Sequence, residues 1–279
     1  MAQLGPDIAL FLGDLPYTKQ GRLEELREMH KKIRFDAGFL HLTSSTPTFA
    51  IWDDHDFGPD DTDGTHPYAA EALGGFKEWW PNPSYGLPGT DGIFTSVRWG
   101  DAEIFLLDDR FHQRQPPSAP ALLGEQQLRW LLEGLASSTA RYKVIVSGTQ
   151  FGRTKRDAWA APHHVKEREA SGSSPGHRQP VSCSCPATRT GWRSTGFRSD
   201  RACIFTTLPP HPSENAWSPR MTPTRGWARS STPTGSRNLF CELELRPAAD
   251  RETALVLRVY SGADSQIHKL TLSPADLGL

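Results

Sequence analysis

The sequence predicts an α/β fold, a layered sandwich of mixed sheets flanked by helices. Three observations carry that expectation. Short apolar runs alternate with amphipathic stretches over the first 150 residues. Two strand-like runs, Gly92–Trp99 and Ala102–Leu107, are joined by Gly100-Asp101, a two-residue hairpin signal that makes the sheet mixed. Period-two alternation returns near the C-terminus.

The elements follow in order. Ile8-Ala9-Leu10-Phe11-Leu12 reads as a buried strand within 7–13. Gln20 to Ala37 reads as one helix with Leu23, Leu26, Met29, His30 and Ile33 on one face. A strand at 48–52 and a helix near 67–80 precede the hairpin. The helix expected over 124–136 carries Leu128, Leu131, Leu132 and Leu135, and a strand at 142–147 follows. The strands at 7–13, 48–52, 102–107 and 142–147 are expected to share one sheet. Runs at 239–245, 254–260 and 266–272 read as an antiparallel meander.

Residues 1–151 thus form a core and 238–279 a β segment of the same domain. Residues 152–237 differ in kind. They hold only four aliphatic Val, Ile or Leu residues: Val165, Val181, Ile204 and Leu208. Such a stretch cannot bury enough apolar surface to offset roughly 1–2 kcal/mol of backbone entropy per ordered residue. It is expected to be long and irregular, which is itself unusual inside a compact domain.

Composition excludes some functions. Lysine plus arginine number 31 and aspartate plus glutamate 32, a net charge of −1, so nothing global favours nucleic acid or a membrane surface. No apolar run approaches the roughly 18 residues that span a bilayer. Met1–Pro6 has neither a basic nor a hydrophobic signal region, and the chain as written reads as cytoplasmic. Cys183, Cys185, Cys203 and Cys241 lack the spacing of a zinc site or a disulfide framework.

The chemistry concentrates at two strand ends. Thr48-Phe49-Ala50-Ile51 runs into Trp52-Asp53-Asp54-His55-Asp56-Phe57, and Ile8–Leu12 runs into Gly13-Asp14-Leu15-Pro16-Tyr17. Ligands bind at the C-terminal edge of strands in open α/β sheets. So much acid at one spot is costly unless a cation sits there. Two carboxylate-bearing strand ends are the minimum for a two-metal hydrolytic site. Arg110, just past the strand 102–107, could clamp a phosphate bidentately or pair with Asp108 or Asp109. Asp53 or Asp56 is expected to orient His55, and Gln150, past the strand 142–147, to face the site. His163, His164, His177 and His211 lie in low-complexity sequence and are set aside as ligands.

These residues resemble the PhoD-like (alkaline phosphatase D) branch of the calcineurin-type metallophosphoesterases. The matching pieces are Gly13–Tyr17, Trp52–Gly58, Trp79-Trp80-Pro81-Asn82-Pro83, Phe105–Arg110, Leu123–Leu131 and Ser147–Phe151, in the family's order over roughly residues 8–160. The resemblance implies the calcineurin-like sandwich. It implies two or more metal ions, iron and calcium, and hydrolysis of a phosphate monoester or phosphodiester by a metal-bound hydroxide. By the same resemblance Asp14 bridges the metals and Tyr17 is a phenolate ligand to a ferric ion. Asp54 stands where the superfamily's Gly-Asn-His motif has Asn and holds the second metal, and His55 protonates the leaving group. Family members are often exported with a twin-arginine signal. A carboxylate-pair glycosidase built on Asp14 with Asp53 or Asp54 would explain the acids but not Tyr17 or His55.

Two departures from the family pattern open an alternative. The first strand expected before the Gly-Asp motif has no room ahead of Asp14, and the Ser-Gly-Asp-x-His strand expected after Gln150 is missing. Within 170–237 the chain reads as out of frame. With TCN serine codons, a shifted reading forces four apolar residues between Val181 and Cys185. With GC-rich third bases, Pro180 to Ser194 permits RLVLLSGDPHWVAL, a buried strand ending in that motif. The rival to a phosphoesterase is therefore a truncated, non-catalytic remnant that keeps the sandwich but lacks a complete metal site.

Overall fold

The computed structural model describes residues 4–116, 120–149, 161–164, 166–167, 181–184, 204–206, 239–246, 254–261 and 265–274. Strand β1 (Ala9–Leu12) pairs in parallel with β2 (Thr48–Ile51), Ala9 opposite Thr48. Between them the expected single helix is two. Helix α1 (Leu23–Arg34) stops at Phe35. Asp36 then takes an extended conformation and its side chain accepts the Phe39 N–H, capping α2 (Ala37–Thr43). A side chain that satisfies an orphan N–H favours a fresh helix start over continuation. Helix α1 carries Glu24 and Glu25 in its first turn and Lys31, Lys32 and Arg34 in its last, matching the helix dipole. It buries Leu26, His30 and Ile33. Burial, with Arg34 adding, pushes the His30 pKa down to about 3, so this ring is a neutral core group stacked on Trp79.

After β2 come the short helix α3 (Asp54–Phe57) and α4 (Ala69–Trp79), which packs on α1. Strands β3 (Thr95–Trp99) and β4 (Ala102–Leu106) form the expected hairpin, Trp99 opposite Ala102, with Gly100 at φ +53 in the turn. Helix α5 (Glu125–Ser137) leads to β5 (Tyr142–Ser147), parallel to β4. Alternate residues of β4 and β5 serve two cores. Ile104, Leu106, Val144 and Val146 face β1, β2, α1 and α4, whereas Phe105 and Ile145 face Leu131 and Leu135 of α5.

The four strands expected in one sheet divide between two. β1 and β2 stand alone, and β4 and β5 belong to a five-stranded sheet of order β3-β4-β5-β6-β7. The outer edge of β2 is occupied by a side chain. The Asn82 amide accepts the Ala50 N–H at 3.0 Å and donates to the Ala50 carbonyl at 2.7 Å, occupying the positions a further strand would need. Side chains of the two sheets share one core.

The stretch 152–237, expected to be irregular throughout, supplies two strands to that sheet. β6 (Val181–Ser184) runs parallel to β5, and β7 (Ile204–Thr206) runs antiparallel to β6. The open edge of β5 selects them: its unpaired backbone groups need partners whatever side chains those partners carry. Most of the rest of 152–237 lies outside the described residues, as does Gln150. The C-terminal meander is as expected: β8 (Leu239–Leu245), β9 (Leu255–Ser261) and β10 (Ser265–Leu272) in the order β10-β9-β8. Tyr142 of β5 ties it down through hydrogen bonds from its hydroxyl to the carbonyls of Arg246 and Ala254. Among the described residues no helix is long and apolar enough to cross a membrane.

Candidate metal centre

The ends of β1 and β2 touch. A Cβ placed on Gly13 (φ +88) would run into the backbone of Trp52 and Asp53, so only glycine allows this approach. Asp14 follows with φ +53, a left-handed conformation that Asp tolerates better than most residues. Asp56 fastens the junction. Its carboxylate accepts N–H groups from Asp14 at 2.5 Å, Leu15 at 2.9 Å and Asp53 at 3.0 Å. Three charge-assisted bonds to both strand ends make it a clasp.

This clasp gathers the acids. One ligand atom each of Asp14, Asp54 and His55 lie within 4.8 Å of one another. Asp14 and Asp54 are buried, at 3% and 6% exposure. The Tyr17 hydroxyl donates to Asp14 Oδ2 at 2.8 Å, which brings the phenol to the same cluster. Asp54, Asp60 and Asp61 form a second such group that shares Asp54, with Asp60 and Asp61 exposed. The Asp61 N–H donates to Asp54 Oδ2 at 2.9 Å, folding the 58–61 turn back onto the cluster. Two buried carboxylates this close repel unless protonated or bound to a cation. An oxygen-rich set with one imidazole and a phenol suits hard and borderline cations. The donor set fits a metal site.

His55 lies at the mouth. Its side chain is 25% exposed, its ring sits 4.4 Å from the Tyr17 ring between centroids, and Nε2 lies 3.7 Å from Asp60 Oδ1. Its carbonyl accepts from Thr18 N–H and hydroxyl at 2.9 and 2.6 Å, locking the β1 loop to α3.

Three of the expected site residues, Asp53, Asp56 and Arg110, make buried contacts. The Asp53 carboxylate, expected to orient His55, is engaged by Arg110 through Nε at 2.7 Å and through Nη2. Asp56 is the clasp described above. Besides Asp14 and Asp54, the Asp60 carboxylate lies beside His55. Arg110, expected as a phosphate clamp or an ion-pair partner, is fully buried, and its Nη1 points to the Thr62 carbonyl and the Gln113 amide. Trp52 supports the same strand end, its indole N–H donating to Asp108 Oδ1 at 2.8 Å. Asp108 also accepts from the Ile93, Arg110 and Phe111 N–H groups, and Gln127 of α5 brackets its backbone on both sides.

Arg110→Met is therefore expected to destabilise the protein by about 3–5 kcal/mol, because it strands a buried carboxylate without its partner. Urea denaturation measures it. A raised KM with unchanged stability would return Arg110 to the substrate.

The family described as PhoD-like phosphatase matches residues 1–215. The solved structure of PhoD is similar at a TM-score of 0.53 and 22% identity, over 66% of this chain and 46% of that one. The chain thus spans less than half of that structure's length, and at this identity the likeness is one of fold. No curated protein sequence matches it. With the strand-end motifs, the mixed α/β layers and a family match running from residue 1 to residue 215 of 279, the chain belongs to the PhoD-like phosphatase family.

Proposed function

We propose that the chain is a metal-dependent phosphatase or phosphodiesterase that hydrolyses phosphate esters at the Asp14–Asp54–His55 cluster. The observation that carries this reading is the convergence of those three side chains within 4.8 Å, with Tyr17 bonded to Asp14. Asp14, Asp54 and Tyr17 are the residues that would hold the ions, for which the family resemblance suggests iron with calcium. Bound there, such ions supply charge to the phosphoryl oxygens and lower the pKa of a coordinated water. The chain's own contribution is positional and protolytic. Asp56 and Gly13 hold the carboxylate-bearing strand ends in contact, so the ligands are preorganised. His55, between the buried acids and solvent, is placed to donate a proton to the departing alkoxide as the ester bond to phosphorus breaks.

The test is metal analysis of the purified protein with p-nitrophenyl phosphate and bis(p-nitrophenyl) phosphate as substrates. The expected result is stoichiometric bound metal and hydrolysis abolished by EDTA and restored by metal. Protein that takes up no metal and hydrolyses neither substrate would make the chain the non-catalytic remnant.

A further inference from the structure

Asp109 is completely buried and belongs to no group described so far. One of its carboxylate oxygens, Oδ2, accepts three donors from the end of β5: the Ser147 hydroxyl at 2.7 Å, the Gly148 N–H at 2.7 Å and the Thr149 N–H at 3.1 Å. The other oxygen, Oδ1, is buried without a hydrogen-bond partner among the described residues. All three of these hydrogen bonds go to one short segment, Ser147–Thr149. That segment abuts the metal-centre strand. A Cβ on Gly148 would collide with the Trp52 carbonyl oxygen and come within 3.3 Å of the Asp53 Cβ. Asp53, held on its other side by Arg110, immediately precedes Asp54 and His55.

The geometry points to Asp109 as a positioning residue that sets Asp54 and His55 by pressing the Ser147–Thr149 backbone against Trp52 and Asp53. It rests on the reading of Asp54 and His55 as reactive groups. Without the Asp109 acceptor, the Gly148 and Thr149 N–H groups are left buried and unpaired, and the β5 end must move to find partners. Gly148 then no longer backs Asp53. Arg110 and Asp56 would still hold that residue, but without the backing of the β5 end. The interaction runs through an acceptor oxygen and not through net charge. Burial, opposed by the Ser147 and Thr149 hydrogen bonds, pushes the Asp109 pKa up to about 7, so near neutral pH much of it is the neutral acid that asparagine imitates.

The experiment compares Asp109→Ala and Asp109→Asn with the parent by hydrogen exchange, Mn²⁺ binding and steady-state kinetics. In Asp109→Ala, exchange across residues 52–57 is expected to quicken about tenfold while the β8–β10 meander keeps parental protection, as for a local opening. Mn²⁺ affinity and kcat should each fall about tenfold, with KM within about threefold, the size of effect seen for outer partners of metal ligands. Asp109→Asn, which keeps the carbonyl acceptor, should restore all three to within about threefold of the parent. Parental exchange at 52–57 in Asp109→Ala would overturn the proposal, and so would an asparagine variant as impaired as alanine. If alanine unfolds the chain, Gly148→Ala disturbs the same contact from the β5 side and must quicken exchange at 52–57 for the proposal to stand. The exchange readout needs neither metal nor substrate. A parent that binds no metal and turns over no ester defeats the proposed function, while exchange at 52–57 still reports whether Asp109 positions that strand end.

Discussion

Asp14→Asn is expected to reduce phosphate-ester hydrolysis to background, at least about 1000-fold, because a charged metal ligand is worth several kcal/mol in the transition state. The substitution is a clean probe of charge. Asn tolerates the left-handed backbone at φ +53, and its amide oxygen can still accept the Tyr17 hydroxyl now bonded to Asp14 Oδ2. The backbone N–H that donates to Asp56 is untouched. The metal-free fold should therefore be no less stable than the parent, since one of two adjacent buried carboxylates has been neutralised. Bound metal should fall in step with activity. Hydrolysis of p-nitrophenyl phosphate within threefold of the parent would remove Asp14 from the metal site.

Much of the centre was legible because its residues follow from local sequence. An apolar strand that ends in Gly-Asp, and another that ends in Trp-Asp-Asp-His-Asp, place ligand types at strand termini, and the structure brings Asp14, Asp54 and His55 together as those ends imply. The hairpin at Gly100-Asp101 and the terminal meander follow from turn chemistry and period-two alternation in the same way. What the sequence leaves open is which polar side chains turn inward. Arg110 looks like an exposed cation until the Asp53 carboxylate is seen 57 positions away along the chain, buried with it. Gln127 sits on a helix whose leucines mark its apolar side, and nothing local says that its amide brackets the Asp108 backbone. One signal was available. Asp108-Asp109-Arg110 follows the buried strand Ala102–Leu106 with no Gly, Pro, Asn or Ser to turn the chain outward. Three consecutive charges in that setting have to be satisfied inside. Sheet membership fails for a related reason. β1, β2, β4 and β5 have similar apolar patterns, and nothing in those patterns says which of them pair.

His55→Ala is expected to lower kcat by roughly 100-fold or more, the loss typical of a missing general acid. Asp14 and Asp54 are sealed in the junction of β1 and β2, whereas the His55 side chain remains 25% exposed at its mouth. On the proposed reading a leaving alkoxide meets that ring, and the Tyr17 ring lies alongside it, 4.4 Å away between centroids. Asp60 stands 3.7 Å from Nε2 but is two-thirds exposed, so solvent screens it and Asp60→Asn should change kcat by less than about threefold. The decisive comparison is metal content. Retention of near-parental metal with lost turnover assigns His55 to proton transfer. An activated ester sharpens the assignment, because p-nitrophenolate needs little protonation as it leaves. The defect in His55→Ala should thus shrink on p-nitrophenyl phosphate and grow on an alkyl phosphate. An equal defect on both esters, with metal lost in proportion, would make His55 a ligand alongside Asp14 and Asp54.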